Sequence, residues 1–159
     1  MKWIRSVPKR ALRGSGAAYW LAKAQGPGYH AWAGNTFEGI CLRHAGKLRT
    51  ALGIEHVPSQ MSGWRYRSPK GAAGRGAQVD FLFDRDDGII TICEMKYTDK
   101  PFTITKKYAL ELKRKITIFA EQTRTRKDIQ LALVTTRGVK SNIWSEGLVD
   151  RVITLADLF

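Results

Sequence analysis

Two β-rich runs, residues 78–84 (QVDFLFD) and 89–96 (IITICEMK), flank Arg85-Asp86-Asp87-Gly88, and nothing else in the sequence constrains the fold so tightly. Val, Ile and Phe favour extended backbone, and Gly88 can take the left-handed position that a three-residue hairpin loop, Asp86-Asp87-Gly88, requires. The loop length sets the register, so that opposed residues carry numbers summing to 174. A one-residue slip would turn every inward side chain outward, so this register predicts which side chains share a face.

The remaining elements are read around this hairpin. From Asn35, Phe37, Ile40, Cys41, His44, Leu48 and Leu52 recur at helical spacing until Gly53 offers a C-terminal stop. Residues 62–67 (SGWRYR) alternate as a half-buried strand, with Trp64 and Tyr66 on one side and Arg65 and Arg67 on the other. A second helix is expected over 105–122, with Thr105 as N-cap and Tyr108, Leu112, Ile116 and Phe119 on its inner stripe. IQLALVTT (129–136) reads as a buried strand, RVITL (151–155) as another, and Ala-Asp-Leu-Phe as a closing turn. The crossing from 89–96 through a helix to 129–136 has the length of a βαβ unit, so those strands should be parallel. The expected fold class is α/β, a central mixed sheet flanked by helices. Residues 1–34, with Ser-Gly and Gly-Pro-Gly breaks and a short helix near 17–24, read as an N-terminal extension, the tail of an upstream region, ahead of a domain at 35–159.

Charge narrows the partners. The 159-residue chain carries a formal +13, and residues up to Ala77 hold 13 basic against 2 acidic side chains, leaving a near balance in the rest. Hydrophobic residues make up 43%, too many for a disordered basic tail, so the excess belongs to a basic face of a folded domain. A polyanion, first of all nucleic acid, is the expected partner. No apolar run has the length of a membrane span and no signal-peptide pattern is present, so a cytoplasmic protein with no membrane association is expected. Cys41 and Cys93 sit in apolar contexts and read as reduced core residues; the three histidines have no zinc-ligand spacing, and no Walker-type phosphate loop occurs.

Two Glu-x-Lys triplets occur, Glu94-Met95-Lys96 and Glu111-Leu112-Lys113. The second lies on a helix, where residues two apart diverge; the first lies on a strand, where they share a face. The hairpin register puts Asp80 opposite Glu94, at a cross-strand separation of about 5 Å. Two facing carboxylates repel, and a hard divalent cation, Mg²⁺ above all, would relieve the conflict. Lys96 would neutralise the pair without metal, and could orient a water or balance charge during phosphodiester cleavage. The plain alternative is a surface salt-bridge cluster of Asp80, Glu94 and Lys96 on a half-exposed sheet.

The run GAQVDFLFDRDDGIITICEMK, followed by FTITKKYA-x-EL-x-x-K, resembles the PD-(D/E)XK nuclease-like domain at the C-terminus of bacterial and archaeal AAA-type ATPases. GNTFEGIC, SGWRYR, VTTRGVK and TLADLF fit the same group, so the resemblance runs from about residue 30 to the C-terminus. It implies a restriction-endonuclease-like αβββαβ core in which Asp80 matches the motif Asp, Glu94 and Lys96 the E-x-K, and Glu38 the acidic residue of the first core helix. In that superfamily these residues hold one or two Mg²⁺ or Mn²⁺ ions and cut nucleic-acid backbones. Val79 replaces the motif's proline, and no ATP site is present, so the resemblance implies either a C-terminal fragment, with an upstream ATPase domain absent from this chain, or a stand-alone relic.

Glu38 has a second reading, because Asn35-Thr36-Phe37-Glu38 also spells a capping box. Gln78 shares the face of Asp80, and Tyr108 reads as a core residue before it reads as a site residue. Arg65, Arg67, Lys70 and Arg75, with Lys106 and Lys107 at the start of the second helix, are the expected phosphate contacts. Trp3, Trp20, Trp32 and Trp64 could stack on bases, although for most of them packing is the favoured role. The expectation is a metal-dependent deoxyribonuclease domain. Its rivals are a catalytically weak DNA-docking or self-association module of the ATPase and a toxin-like effector awaiting its ATPase half.

Overall fold

A computed structural model describes residues 26–69 and 76–159. The elements in order are helices α1 (Pro27–Arg43) and α2 (Ala45–Leu52), strands β1 (Ser59–Tyr66), β2 (Ala77–Arg85), β3 (Ile89–Lys96) and β4 (Phe102–Thr103), and helix α3 (Lys106–Thr123). Strands β5 (Asp128–Thr135), β6 (Val139–Lys140) and β7 (Arg151–Thr154) and a 3₁₀ turn over Leu155–Leu158 complete the chain. The main sheet has five strands in the order β1-β2-β3-β5-β7, while β4 and β6 form a small parallel pair of their own.

The hairpin folds in the expected register. Phe81 pairs with Cys93, Leu82 with Ile92, Phe83 with Thr91 and Asp84 with Ile90, and Gly88 turns the loop at φ 84°. Strand β3 then pairs with β5 in parallel, from Ile89 opposite Asp128 to Lys96 opposite Thr135, and β7 adds in parallel to β5. One face of the sheet packs Phe81, Phe83, Cys93, Met95, Ala132 and Val134 against Phe37, Cys41, Leu48 and Leu52 of α1 and α2. The other face packs Leu82, Ile90, Ile92 and Leu131 against Leu112 and Phe119 of α3, with Tyr108 and Ile116 on the margin, the stripe expected for that helix. Thr105 caps α3 by accepting a hydrogen bond from the Tyr108 amide, also as expected.

The first helix departs from its expected course. It starts at Pro27, behind a Gly26 N-cap, because proline at the first helical position forgoes only an N–H that has no intrahelical acceptor there. The helix therefore runs across residue 34, and Asn35 and Glu38 lie in its interior, where the expected capping box cannot form. The expected continuous stretch to Leu52 also breaks at His44, whose backbone (φ −101°, ψ 27°) leaves the helical region before α2 resumes; Gly53, at φ 71°, ends α2 as expected. The short helix expected near 17–24, with Trp3, Trp20, Lys70 and Arg75, lies outside the described residues.

A β-bulge interrupts β2 beside the hairpin. Ser62 and Trp64 of β1 are two residues apart, yet their partners Leu82 and Val79 on β2 are three apart. The extra residue falls at Asp80-Phe81, and it turns Val79 onto the α3 face with Leu82 while Phe81 stays on the α1 face. Gly63 lies across from the bulge, where a Cβ would come within 3.0 Å of the Asp80 carbonyl oxygen. Glycine is what allows β1 to pass that close.

Candidate functional site

Two grooves meet at Asp80. The first, about 340 Å³, lies between the β2–β3 hairpin and α3 and is lined by Gln78, Asp80, Glu94, Lys96, Tyr108, Glu111, Arg114 and Lys115 among others. The second, about 350 Å³, lies towards α1 and is lined by Glu38, Leu42, Gly63, Trp64, Arg65, Gln78, Val79 and Asp80 among others. Asp80 reaches both because the bulge takes it out of strict strand alternation. The paired ladder of β2 and β3 ends at Phe81 and Cys93, so Asp80 sits one step past the last pair instead of inside a regular facing pair with Glu94. Gln78 donates its side-chain amide to Asp80 Oδ1, which fixes the carboxylate at the mouth of both grooves.

Glu94 is only 6% exposed and is held by α3. The Tyr108 hydroxyl donates to Oε1 at 2.8 Å, and Lys115 Nζ donates to Oε2 at 2.5 Å. Lys96, expected to neutralise the pair, stands 3.6 Å from Oε1 with its side chain 37% exposed, against 16% for Lys115. The charge that compensates buried Glu94 is therefore chiefly that of Lys115. Lys96 leans over the Tyr108 ring, 5.2 Å from its centroid. Burial, and then the charge of Glu94 and its hydrogen bond, raise the Tyr108 phenol well above its ordinary pKa, so the hydroxyl remains a donor.

Glu38 joins this group electrostatically. Partial burial raises its carboxyl, the negative charge of Asp80 raises it further, Lys96 opposes and Glu94 adds a smaller upward push. The helix-interior position of Glu38 thus places it on the groove it shares with Asp80 and not at its own helix start. Sequence position separates these residues widely; the α1 face and the β2–β3 hairpin bring them to one end of the sheet.

The expected phosphate contacts divide. Arg65 is exposed and lines the groove towards α1, while Arg67 is exposed and lines neither groove. Lys106 and Lys107 are exposed at the start of α3 outside both grooves, and Lys106 Nζ lies 5.8 Å from the Trp144 ring centroid. Trp64 packs edge-on against Phe119 at 5.1 Å and stacks beside Tyr66, so it serves the core on at least one face. Trp32 is half-buried and tilts against Tyr29 at 5.7 Å. Cys41 and Cys93 are free and buried, and burial pushes both thiols up to about 12, in line with the expected core role.

Sequence reading passed over Lys115, although a signal for it existed. Tyr108, Leu112, Lys115 and Phe119 follow the i, i+4, i+7, i+11 course of one helix face, so a lysine sits inside an apolar stripe. A lysine in such a place needs a buried partner.

Among the described residues no three His, Cys, Asp or Glu side chains converge as a ready-made metal cage. The groove is lined by three carboxylates, of which Asp80 and Glu94 stand on the hairpin and Glu111 is an exposed residue of α3. An ionised carboxylate has about four acceptor positions, so Glu94 keeps capacity beyond its bonds to Tyr108 and Lys115. That donor chemistry fits Mg²⁺ or Mn²⁺, hard cations commonly held by one or two carboxylates with water and substrate phosphate completing the shell.

The architecture these observations define is an α/β domain with a five-stranded mixed sheet and an acidic-basic groove beside its central hairpin. Comparison of the chain with family models, with curated proteins and with solved structures gives no match. Among the described residues no helix is long and apolar enough to cross a membrane.

Proposed function

We propose that this chain is a metal-dependent deoxyribonuclease domain of the PD-(D/E)XK type, with a restriction-endonuclease-like αβββαβ core, that hydrolyses DNA phosphodiester bonds and works with an ATPase region. The observation that carries the reading is the convergence on one groove of Asp80, Glu94 and Lys96, with Glu38 of α1 coupled to Asp80 by charge. Asp80 and Glu94 would hold Mg²⁺ or Mn²⁺, with Glu38 assisting from the adjoining groove. When bound, the cation would polarise a phosphoryl oxygen and make a bound water more acidic. Lys96, the more exposed of the two lysines on Glu94, is free to donate to a phosphate oxygen or to hold the attacking water. Gln78 steadies Asp80, and Tyr108 holds Glu94 as a permanent donor. Arg65 lines the adjoining groove towards α1 as a sequence-independent phosphate contact, and the excess of basic side chains before Ala77 supplies the wider attraction.

A second reading has its own observation. Both oxygens of Glu94 are already engaged by protein donors, which suits a DNA-docking module in which the cluster is structural. Plasmid nicking with Mg²⁺ or Mn²⁺ by the full chain, beside Asp80→Asn and Glu94→Gln, separates the two. Metal-dependent cleavage that both substitutions abolish supports the nuclease; salt-sensitive DNA binding with no metal-dependent product supports the docking module, and cleavage retained by either variant at the parent's rate refutes the assignment of the ligands.

A further inference from the structure

We infer that Lys115 is a built-in counter-cation that competes with the divalent ion for Glu94, an inference that rests on the proposed metal site. Glu94 is nearly sealed from solvent, so its carboxylate needs a positive partner at all times. Two lysines are within reach, and they are not equivalent. Lys115 Nζ lies 2.5 Å from Oε2 on a side chain 16% exposed, whereas Lys96 Nζ lies 3.6 Å from Oε1 on a side chain 37% exposed. Lys115 also projects from the apolar face of α3, between Leu112 and Phe119, so it is delivered to Glu94 by the packing of the helix itself. Its neighbour Arg114 donates to the Gly76 carbonyl at 3.2 Å, which ties the same turn of α3 to the start of β2.

This arrangement divides the work of the two lysines. Lys115 compensates Glu94 in the resting protein and keeps its carboxylate turned into the groove, and Lys96 stays available to the substrate. A divalent ion that engages Glu94 meets Lys115 as a positive charge on the same carboxylate, and part of its binding free energy goes into weakening that ion pair. Lys115 is on this account a positioning residue that sets how much free metal is needed before the groove is loaded.

The test is titration calorimetry of Mn²⁺ into the full chain, wild type beside Lys115→Gln, Lys115→Arg and Lys96→Gln, with Asp80→Asn to identify the site. Lys115→Gln should bind Mn²⁺ about tenfold more tightly, a difference of about 1.4 kcal/mol. Lys115→Arg, which keeps the charge and can grip a carboxylate with two parallel donors, should bind no more tightly than wild type. Lys96→Gln should change the affinity less than Lys115→Gln does. Circular dichroism on the same samples verifies folding, and Lys115→Arg supplies the comparison if the glutamine variant unfolds: Mn²⁺ affinity gained on arginine substitution overturns the inference. Wild-type binding that depends on Asp80 but is unchanged or weakened in Lys115→Gln also overturns it while leaving the metal site standing. An absence of Mn²⁺ binding in every variant overturns both the inference and the metal site; binding that appears only in Lys115→Gln and depends on Asp80 supports both.

Discussion

Replacing Tyr108 by Phe removes one atom from the candidate site, and the structure sets the expected cost. The hydroxyl donates at 2.8 Å to a carboxylate that is 6% exposed, while the ring packs edge-on against Phe102 at 5.3 Å. Phe keeps the ring contacts, so the loss is that of a hydrogen bond to a buried charged acceptor, about 1.5–3 kcal/mol. In a domain of this length that lowers the thermal midpoint by roughly 3–12 °C. Thermal unfolding followed by circular dichroism measures it, and a double-mutant cycle with Glu94→Ala, which removes the acceptor, isolates the bond: in that background Tyr108→Phe should cost well under half as much. Alkaline titration gives an independent signature. The Tyr108 phenol is raised in the folded state, so its contribution is fully present below the ordinary pKa of 10 and is lost as pH rises above it. The Phe variant should lose less stability than wild type above pH 10. A cost under about 0.5 kcal/mol, or the same cost in both backgrounds, would refute the account of Glu94 as a carboxylate held by α3.

Three other outcomes are expected. Glu38→Gln should be more stable than wild type at pH 7, because burial and then Asp80 raise the Glu38 carboxyl; that advantage should vanish as pH falls below the ordinary value of 4.5, and chemical denaturation at pH 7 and pH 4 tests it, with cleavage weakened if Glu38 assists the metal. Gly76→Ala would place a Cβ 2.5 Å from the Tyr66 carbonyl oxygen, a backbone atom with little freedom to yield, and should cost about 1–3 kcal/mol in urea unfolding. Cys41 and Cys93, with thiols pushed up to about 12, should resist iodoacetamide at pH 8 in the native protein and react once it is denatured, as intact mass reports.

What could be read in advance followed the range of the interactions involved. The hairpin and α3 were legible because local chemistry decides them: Gly88 for the loop, Thr105 for the cap, a four-membered apolar stripe for the helix face. The start of α1 was missed because Gly26-Pro27-Gly28 reads as a break when proline is taken as a terminator, although it is equally a helix opening. The β4–β6 pair consists of two-residue strands brought together by tertiary folding, with no local periodicity to detect. Asp80 and Glu94 were placed in one groove by register alone, yet the bulge that lets Asp80 face two grooves was not foreseen, and Gly63 inside a strand was its only local sign. Lys115 lies 21 residues after Glu94, and the bond between them exists only once α3 has crossed back over the sheet.

The order of the sheet has a dynamic consequence. Over Ile90–Cys93 strand β3 is paired on both sides, to β2 and to β5, so opening there requires breaking two ladders at once, and those amides should exchange with solvent only through global unfolding. Asp80 sits past the end of its ladder to β3, opposite a glycine, where local opening is easy. Glu94 and Lys96 continue directly from that doubly paired segment and stay laddered to β5, whereas Asp80 has no partner on β3. In hydrogen exchange the site should divide along the hairpin into a fixed wall and an adjustable one, with ligand protection concentrated on the adjustable side.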